Sequence, residues 1–472
     1  MRRLVVFFCF LFSAVAAMAQ VETTAYLMNS LPQVVNANPA FMPKYKFALG
    51  LPGISSFGAS YANNGFAYRD LVRQENNRLV ADLSAWAKNL PDRNYITLGA
   101  QTDLFRLGVR VHPKFYFTLH STAKGFGRAM LPKQLASLLV NGTSPYIGKT
   151  LVMEPELQIT SYLEHGVGLA AQVTDELTIG GRIKWINGMV GASTERSRFS
   201  LTLDESYQIT ATGDFRMKSS GLYDLTEGNS EFTTSGFSRN SGWGLDVGAT
   251  YRLMDKFMLA ASLVDVGQIN WKNKVYDYVM PQASYTLSGI DIDQLLNGDA
   301  TYAEAQLDSL ERAFTITETA GGSFRTPLPG KLYLSGAFDV SKSFTVGALF
   351  YSERYQGRSA SGLSLMMNKH LGRLMSTALS YTISNRSFNN LGAGVSFNLA
   401  PIQIYVVGDN LLRLPLSLAA HQKLNNFINN TQVFTFRAGI NIVAGWPRDK
   451  RKGKTAGSQL RDADHVKVRR KK

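Results

Sequence analysis

Apolar residues alternate with polar or small ones along residues 432–446, near the end of the chain. Every second residue from Phe434 to Trp446 is apolar, and the residues between them are mixed and include Arg437 and Asn441. A period of two over about ten residues is typical of a strand with one apolar face. Either lipid around a membrane barrel or the core of a soluble sandwich would cover such a face, so this stretch alone leaves both folds open.

The same alternation recurs through the chain. It predicts hairpins whose strands are joined by tight polar turns, at 166–173 with 177–185, 242–253 with 257–269, and 331–340 with 344–353. It also predicts separate strands at 45–51, 55–61, 95–102, 105–111 and 114–121, and nearly continuous strand over the last third. Long links rich in Ser, Asn, Gly and Asp are predicted at 187–199, 204–241 and 271–330. Short turns on one side and long links on the other indicate an antiparallel barrel.

In two stretches the spacing of apolar residues changes from that of a strand to that of a helix. Residues 79–90, which include Trp86, and residues 131–140 carry apolar residues at helical spacing, so each is predicted as a short helical insert. The resulting prediction is an all-β fold, a transmembrane antiparallel β-barrel of about 14 strands, within a range of 12 to 16, with an N-terminal segment available as a plug.

The start of the chain predicts export. Arg2 and Arg3 precede an apolar run, and Ala17-Met18-Ala19 has the small-x-small pattern of a signal-peptidase site, so cleavage is predicted after Ala19. The only cysteine, Cys9, lies inside this leader of residues 1–19. The mature chain is therefore expected to hold no disulfide, thiolate metal site or cysteine nucleophile.

Hydropathy after the leader narrows the class of protein. No apolar run approaches the 18 to 20 residues of a spanning helix, which leaves an exported soluble protein or a membrane barrel. An aromatic content of 11% and 41 glycines against 15 prolines favour the barrel. Residues 20–446 are thus predicted to form a barrel in the outer membrane of a Gram-negative bacterium, with lipid as its partner.

The net charge of +15 is concentrated at the C-terminal end. Residues 448–472 hold eleven Lys or Arg against three Asp, without an aromatic residue for base stacking. Since the chain is predicted to be exported, nucleic acid is not expected as a partner. Residues 447–472 are predicted to be a disordered periplasmic tail, and this tail or the long links would dock a periplasmic or surface protein if the barrel has one.

Catalytic and metal-binding patterns are absent from the sequence. The six histidines have no metal-ligand spacing, and no nucleophile elbow of the Gly-x-Ser-x-Gly type occurs. No catalytic residue, metal or cofactor is therefore predicted, and the chain is not expected to be an enzyme. His120, Arg437 and Asn441 occupy polar positions of predicted strands and are expected to face the barrel lumen.

Four motifs resemble those of an uncharacterised family of outer-membrane barrels from Bacteroidota: NPAFMP at 38–43, GGRIKWING at 180–188, IQIYVVGDNLL at 402–412 and FRAGINI at 436–442. More distantly, the first motif is similar to that of the long-chain fatty-acid transporter family and of the barrel that shuttles cargo in type IX secretion. The resemblance implies a 14-stranded barrel with an N-terminal plug and places Asn38, Pro39 and Ala40 at the plug or first turn. The transporter family's substrate pockets have no recognisable counterpart here.

Two functions follow from this interpretation. The first is a passive channel or carrier for hydrophobic or small molecules, which pass through a partly plugged lumen. The alternative is a non-transporting barrel that anchors or scaffolds a surface or secretion complex.

Overall fold

The computed structural model describes residues 23–64, 72–75, 78–206, 208–222, 239–287, 308–309, 311–355, 358–384, 387–411 and 432–445. The predicted cleavage site at Ala17 and Ala19, the aromatic Trp446 and the basic tail of residues 447–472 lie outside these ranges. The leader and the tail therefore stay predictions.

Fourteen antiparallel strand positions form the wall of a closed barrel, which confirms the predicted fold and strand number. The first position is shared by two short strands, β1 (Phe47–Gly50) and β2 (Phe57–Asn63). The others are, in order around the wall, β5 (Arg93–His112), β6 (Phe115–Pro132), β8 (Glu156–Gln172), β9 (Leu177–Leu203), β11 (Ser241–Leu253), β12 (Phe257–Trp271), β16 (Gly330–Ser341), β17 (Phe344–Tyr355), β18 (Arg358–Leu371), β19 (Met375–Ser384), β20 (Ser387–Leu399), β21 (Ile402–Asp409) and β22 (Gln432–Ala444).

Strand β22 closes the barrel. It pairs with β21 on one side and with both β1 and β2 on the other, with Ala444 opposite Phe47 and Ala438 opposite Phe57. The alternating stretch near the end of the sequence is therefore the seam between the first and last wall strands. Closure leaves no unpaired edge in the wall, which a lipid environment requires.

The links between wall strands differ at the two ends of the barrel. At one end, which we call the short-turn end, the strands are joined by a few residues, as between β11 and β12 or β16 and β17, and the wall also begins and ends there. The opposite, long-link end holds further strands: β3 (Val72–Glu75), β4 (Arg78–Ala81), β7 (Lys149–Met153), β10 (Ile209–Ser220), β13 (Val275–Leu287), β14 (Thr317–Ala320) and β15 (Phe324–Pro327).

The prediction of a long link at 187–199 was wrong, because this stretch continues β9. At 27 residues that strand spans about 90 Å, far more than the 9–11 residues a membrane strand needs. Its far part pairs with β7 and β10, and β10 pairs with β13. Together with β14, which pairs with β13, these strands form a sheet extension above the wall. Outside an apolar medium both faces can be polar, so the alternation that reveals a wall strand disappears.

Residues 95–102 and 105–111 were predicted as two strands, but both belong to β5. A register shift between Asp103 and Phe105 interrupts the ladder with β6. Such a bulge inserts an extra residue and exchanges the faces on which later side chains lie. The pattern therefore resembles a break between strands, although the backbone pairing continues.

Both predicted helical inserts contain a helix at the long-link end. Helix α1 (Leu83–Asn89) starts later than predicted, because residues 78–81 form β4, and Asp82 caps it by accepting the Ala85 N–H at 2.9 Å. Helix α2 (Lys133–Asn141) follows β6 directly. None of the helices among the described residues is long and apolar enough to cross a membrane.

The wall places polar residues inside and apolar residues outside. On β9, Arg182 and Lys184 are only 2% and 3% exposed, whereas the neighbouring Ile183 and Trp185 are 73% and 56% exposed. Other strands expose large apolar side chains in the same way, for example Phe57, Phe105, Val167, Val247, Leu259, Leu334, Phe350, Leu365, Leu379, Phe397, Ile404 and Ile440. The barrel therefore carries an apolar band around its outside and a polar interior.

Candidate functional site

The interior of the barrel is filled from the N-terminal side by residues 23–46, which we call the plug segment. A short 3-10 helix (Pro32–Asn36) lies at its middle, and Tyr26, Met28 and Leu31 are all at most 2% exposed. The segment ends at the short-turn end of the wall, where the Lys46 N–H donates to the Ala444 carbonyl at 3.1 Å.

The first described residues of the plug segment bind one carboxylate at the far end of β21. The hydroxyls of Thr23 and Thr24 donate to Asp409 Oδ1 at 2.8 and 2.6 Å, and the Thr24 N–H donates to the same oxygen at 3.1 Å. Asp409 is buried, and three donors replace the water it loses. This contact holds the start of the segment deep inside the barrel, near the long-link end.

Amide side chains of the wall hold the middle of the plug segment. Asn441 and Gln33 exchange two hydrogen bonds, at 2.8 and 3.2 Å. Gln403 donates to the Ser30 carbonyl at 2.8 Å and accepts from Asn441 at 3.0 Å. Because β21 and β22 supply both wall amides, the seam of the barrel is tied to the plug as well as to β1 and β2.

Asn38 fixes the next turn of the segment. Its side-chain NH2 donates to the carbonyls of Ala249 and Ala261 at 3.4 and 3.3 Å, and its Oδ1 accepts the Ala40 N–H at 2.8 Å. The wall leaves room for this turn, because a Cβ at Gly180 would overlap the backbone of Pro39 and Ala40. A glycine at this wall position is thus required by the close approach of two backbones.

The part of the plug segment nearest the short-turn end contacts basic wall residues. Arg110 donates to the Pro43 carbonyl at 2.7 Å, and Lys44 Nζ lies 2.9 Å from His370 Nε2. Burial lowers the pKa of Lys44 from its ordinary value. The segment is therefore held along its whole length by hydrogen bonds to the wall.

Lys184 lies at the centre of a buried ionic network on one side of the lumen. Its ammonium is 2.8 Å from Asp246 and 2.5 Å from Asp265. A third carboxylate, that of Glu164, lies 3.6 Å away. Asp265 has a positive φ of 58°, and its N–H donates to Asp246 at 2.7 Å, so the strand is locally distorted where the network meets β12.

Further bases surround the same carboxylates. Lys124 is 2.8 Å from Glu164, and Lys331 is 3.2 Å from Asp265. Arg182 bridges wall and plug, since it donates to Asp246 at 3.2 Å and to the Val35 carbonyl at 2.8 Å. In a low-dielectric interior such pairs compensate the lost hydration of their charges only as a connected set.

A second ionic group continues the network around the wall. Arg106 makes a two-pronged contact with Asp103 at 2.7 and 3.1 Å, and Thr122 donates to Asp103 at 2.9 Å. His120 Nε2 lies 2.9 Å from Glu164. The charged layer therefore runs over neighbouring strands from β5 to β9 and on to β12 and β16.

An apolar layer lies directly above the charged layer, toward the long-link end. Phe126 and Ile186 follow Lys124 and Lys184 by two residues, so they project from the same face of their strands one step further up. They pack with buried residues from four further stretches, namely Tyr162, Ile269, Trp271, Val275 and Leu328. Within the described residues, the lumen is thus occupied by the plug segment, a charged layer and an apolar layer.

A cavity remains between the plug segment and the charged layer. The volume of this cavity is about 70 Å³. The plug contributes Ala25, Tyr26, Gln33, Val34, Asn36 and Ala37 to its lining, and the wall contributes Lys124, Glu164, Arg182, Lys184, Asp265, Lys331 and Arg437 among others. Because one water needs about 10–15 Å³ of such space, the cavity has room for about five waters or one small ion.

The residues predicted to face the lumen lie inside the barrel. His120, Arg437 and Asn441 are 3%, 4% and 1% exposed, but they do not form one site. His120 belongs to the ionic network, Arg437 lines the cavity, and Asn441 holds Gln33 of the plug.

Sequence reasoning missed the centre of the network. Arg182 and Lys184 stand at alternate positions in the motif at 180–188, between the outward Ile183 and Trp185. This pattern of bases inside an apolar alternation was the signal that could have placed them in the lumen. Their acidic partners come from other strands, and no local spacing in the sequence connects them.

The site offers no arrangement for metal chemistry in the part of the chain that the structure describes. No group of three or more His, Cys, Asp or Glu side chains there is placed to hold a metal ion. The carboxylates of the network are instead occupied by lysine and arginine.

The fold and its filled interior define a class: a closed 14-stranded antiparallel barrel whose lumen holds an N-terminal plug segment. The chain belongs to a family of unknown function, DUF5723, whose sequence profile matches residues 39–409. Family membership predicted from the four motifs is thereby confirmed, whereas the predicted origin in Bacteroidota stays a prediction. A comparison with curated proteins found no match.

Solved structures whose backbone fold is similar to that of this chain include three outer-membrane proteins. A FadL homologue of Pseudomonas aeruginosa has 11% identity and a TM-score of 0.43, over 92% of this chain and 100% of that one. The toluene transporter TodX of Pseudomonas putida has 11% identity and a TM-score of 0.42, over 90% and 94%. The toluene transporter TbuX of Ralstonia pickettii has 11% identity and a TM-score of 0.40, over 92% and 95%. Because the identities and TM-scores are this low, the substances that these proteins transport are not assigned to this chain.

Proposed function

We propose that the protein spans the outer membrane and works there as a passive channel or carrier for small polar solutes. The membrane part of this proposal is supported by the apolar band, which exposes residues such as Ile183 and Leu365 on a closed wall. A water-facing band of this extent would be strongly unfavourable, whereas lipid covers it without cost. By analogy with other barrels, the short-turn end faces the periplasm.

One observation supports transport above all: a polar cavity lies between a separate plug segment and the wall. The plug is attached to the wall by hydrogen bonds, each of which contributes only about 0.5–1.5 kcal/mol. Movement of this segment would open the cavity into the lumen. A change of this kind is a local opening, for which segments held mainly by polar contacts are suited.

The lining of the cavity favours polar over hydrophobic cargo. Apolar ligands usually occupy pockets of about 300–1,000 Å³ with mainly apolar walls. Here the cavity offers about 70 Å³, and Lys124, Lys184 and Lys331 are among its lining residues. The sequence leaves hydrophobic molecules and small molecules open as cargo. Small molecules therefore fit this lumen better.

Liposome swelling tests the transport proposal. Purified protein is inserted into vesicles, and swelling is followed in neutral sugars and amino acids of increasing size. We expect entry of the smallest solutes at a rate above that of empty vesicles and exclusion of larger ones. Vesicles that stay as tight as empty ones for every solute would exclude a passive channel.

The sheet extension supports a second candidate function, a scaffold for a surface complex. It rises beyond the apolar band and ends in β14, whose four residues are all exposed. Edge strands present unpaired backbone groups to which another chain can add.

Co-purification separates the scaffold from the channel. A scaffold is expected to retain a defined set of proteins when the barrel is solubilised from its native membrane. Deletion of residues 448–472 and of the sheet extension, in separate variants, would show which part holds them. An unchanged set after both deletions, or no set at all, would contradict the scaffold.

A further inference from the structure

The short-turn end of the barrel carries mostly basic side chains on its surface. Seven exposed bases lie on its turns and on the strand ends beside them, and we call this set the basic rim: Lys46, Lys114, Arg252, Lys256, Lys342, Lys369 and Arg373. Four acids lie on the same turns and strand ends, the exposed Asp175, Glu176 and Asp255 and the half-buried Asp339. The described part of this end therefore has a basic surface.

The acids of this end offset only part of the charge of the basic rim. Arg252 lies 3.7 Å from Asp339, and their side chains are 48% and 42% exposed. Asp175 and Glu176 lie together in the turn between β8 and β9. Ion pairs between exposed side chains are weak, so they leave such bases accessible to other anions. Even when all four acids are counted against the seven bases, three more bases than acids remain.

Large apolar side chains are exposed in the same turns. Met254 lies two residues from Lys256 and is 81% exposed, and Leu374 directly follows Arg373 and is 62% exposed. These side chains continue the apolar band of the wall as far as the turns. An apolar side chain beside a base is typical of the membrane interface, where the first reaches the acyl chains and the second the headgroups.

Lys369 shows the same transition along one strand. Leu365 and Met367 lie on the outer face of β18 and are 59% and 44% exposed, and Lys369 is the next residue on that face. Its ammonium donates to Ser343 Oγ at 3.2 Å and lies 5.6 Å from the centre of the Phe344 ring. A lipid-facing row of apolar side chains thus ends in a positive charge at the short-turn end.

We propose that the basic rim binds the phosphate headgroups of anionic phospholipids in the membrane leaflet at the short-turn end. This inference rests on the proposed insertion of the barrel into the outer membrane, but it holds whether or not solutes pass through the lumen. Lysine and arginine donate to phosphate oxygens at the depth where the apolar band ends. An acidic soluble protein would also match the charge, but it would not cover the apolar side chains of Met254 and Leu374 as acyl chains do.

Spin-labelled lipids test the proposal on the full-length barrel in phosphatidylcholine vesicles. Labelled phosphatidylglycerol and labelled phosphatidylcholine are added in separate samples, and electron paramagnetic resonance gives the fraction of each lipid that is immobilised at the wall. We expect a preference for phosphatidylglycerol of about twofold or more at low salt, because one base near an anionic lipid surface strengthens binding about fivefold and only one leaflet contacts the rim. High salt should reduce the preference, since exposed charges are screened.

The same measurement separates this inference from the membrane proposal on which it rests. Equal immobilised fractions of the two lipids, at low salt and in a barrel that has inserted, would overturn the binding of anionic lipid alone. A chain that does not insert into the vesicles would overturn the proposed membrane function and this inference with it.

A triple variant locates the binding at the basic rim. Lys256→Gln, Lys342→Gln and Lys369→Gln remove three charges at exposed positions, on which the fold should not depend. We expect the preference for phosphatidylglycerol to fall toward equal binding of the two lipids, because the excess of three bases is removed. A preference as large as that of the wild type would contradict the rim as the binding surface.

The matched control removes three charges at the opposite end of the barrel. Lys88→Gln, Lys149→Gln and Arg198→Gln change exposed residues of α1, β7 and the far part of β9, beyond the apolar band. This variant has the same net charge as the rim variant and should prefer phosphatidylglycerol as the wild type does. An equal loss of preference in both variants would mean that net charge, and not the rim, determines the choice of lipid.

A deletion separates the rim from the basic tail of the sequence. Residues 448–472 follow β22 and hold eleven bases against three acids. The rim predicts that the barrel without these residues still prefers phosphatidylglycerol. If the deletion abolishes the preference while the rim variant keeps it, the tail binds the lipid and the proposal is overturned.

Discussion

Replacement of Lys184 by methionine removes the ammonium at the centre of the ionic network and keeps a side chain of similar length. In the native barrel this ammonium lies 2.8 Å from Asp246 and 2.5 Å from Asp265, and it is almost completely buried. Loss of one member of a buried ion pair usually costs about 3–5 kcal/mol, because the remaining charge has lost both its partner and its hydration.

The remaining contacts place the expected cost at the lower end of that range. After the substitution, Asp246 still accepts from Arg182 at 3.2 Å, and Asp265 still has Lys331 at 3.2 Å. We therefore expect Lys184→Met to lower the free energy of unfolding by about 3 kcal/mol.

Urea unfolding of the barrel in lipid vesicles, followed by tryptophan fluorescence, measures this change. Lys218→Met is the matched control, because Lys218 pairs at 3.3 Å with Glu195, which is 40% exposed. A pair that reaches solvent in this way contributes only about 0–1 kcal/mol. A loss below about 1 kcal/mol for Lys184→Met would refute the view that the network is a mutually dependent set of buried charges.

Three further substitutions test other parts of the structure. Ile183→Arg places a charge on the outer apolar band and should destabilise the inserted barrel by about 2–4 kcal/mol. Its control is Val152→Arg on the sheet extension, which should leave membrane insertion unchanged. Equal effects of the two substitutions would contradict the position of the band. Gly180→Ala places a methyl group against the Pro39 backbone and should expose the plug segment to protease in folded barrels, and unchanged protection would contradict the close contact. Trp271→Ala should cost about 3–5 kcal/mol in urea unfolding if the apolar layer is packed as described, and a loss below 1 kcal/mol would not fit.

The wall of the barrel could be predicted from the sequence because lipid and lumen impose opposite requirements on neighbouring residues. The stretch that contains Ile183 and Trp185 shows both requirements within a few positions, and so does β22. The number of strands followed from counting such stretches. In the far part of β9, beyond the apolar band, neither face of the strand has to be apolar. The alternating pattern is lost there, and the sequence does not predict a strand.

The arrangement of the lumen could not be predicted to the same extent. Glu164, Lys184 and Asp265 are far apart in the sequence, and only the register of β8, β9, β11 and β12 brings them together. The bulge between Asp103 and Phe105 also changes which residues face inward, and in the sequence it resembles a break between two strands. Asn38, by contrast, stands in the motif at 38–43, although its contacts with the carbonyls of Ala249 and Ala261 depend on the folded wall.

Passage of solutes through the barrel is expected to depend on movement of the plug segment, and a reversible tether tests this most directly. Ser30 of the plug and Ser396 of β20 have hydroxyl oxygens 3.5 Å apart, close enough for a disulfide after substitution of both by cysteine. The predicted mature chain holds no other thiol. Ser352 and Ser361, whose hydroxyls are 2.9 Å apart on neighbouring wall strands, give a control disulfide that leaves the plug untethered.

The measurement is the rate of liposome swelling before and after reduction of each disulfide. For the tethered plug, Ser30→Cys with Ser396→Cys, we predict no swelling above empty vesicles when oxidised and the wild-type rate after reduction. The wall control should swell at the wild-type rate in both states. Swelling of the oxidised tethered barrel at the wild-type rate would show that solutes do not need the plug to move, and would contradict the proposed mechanism.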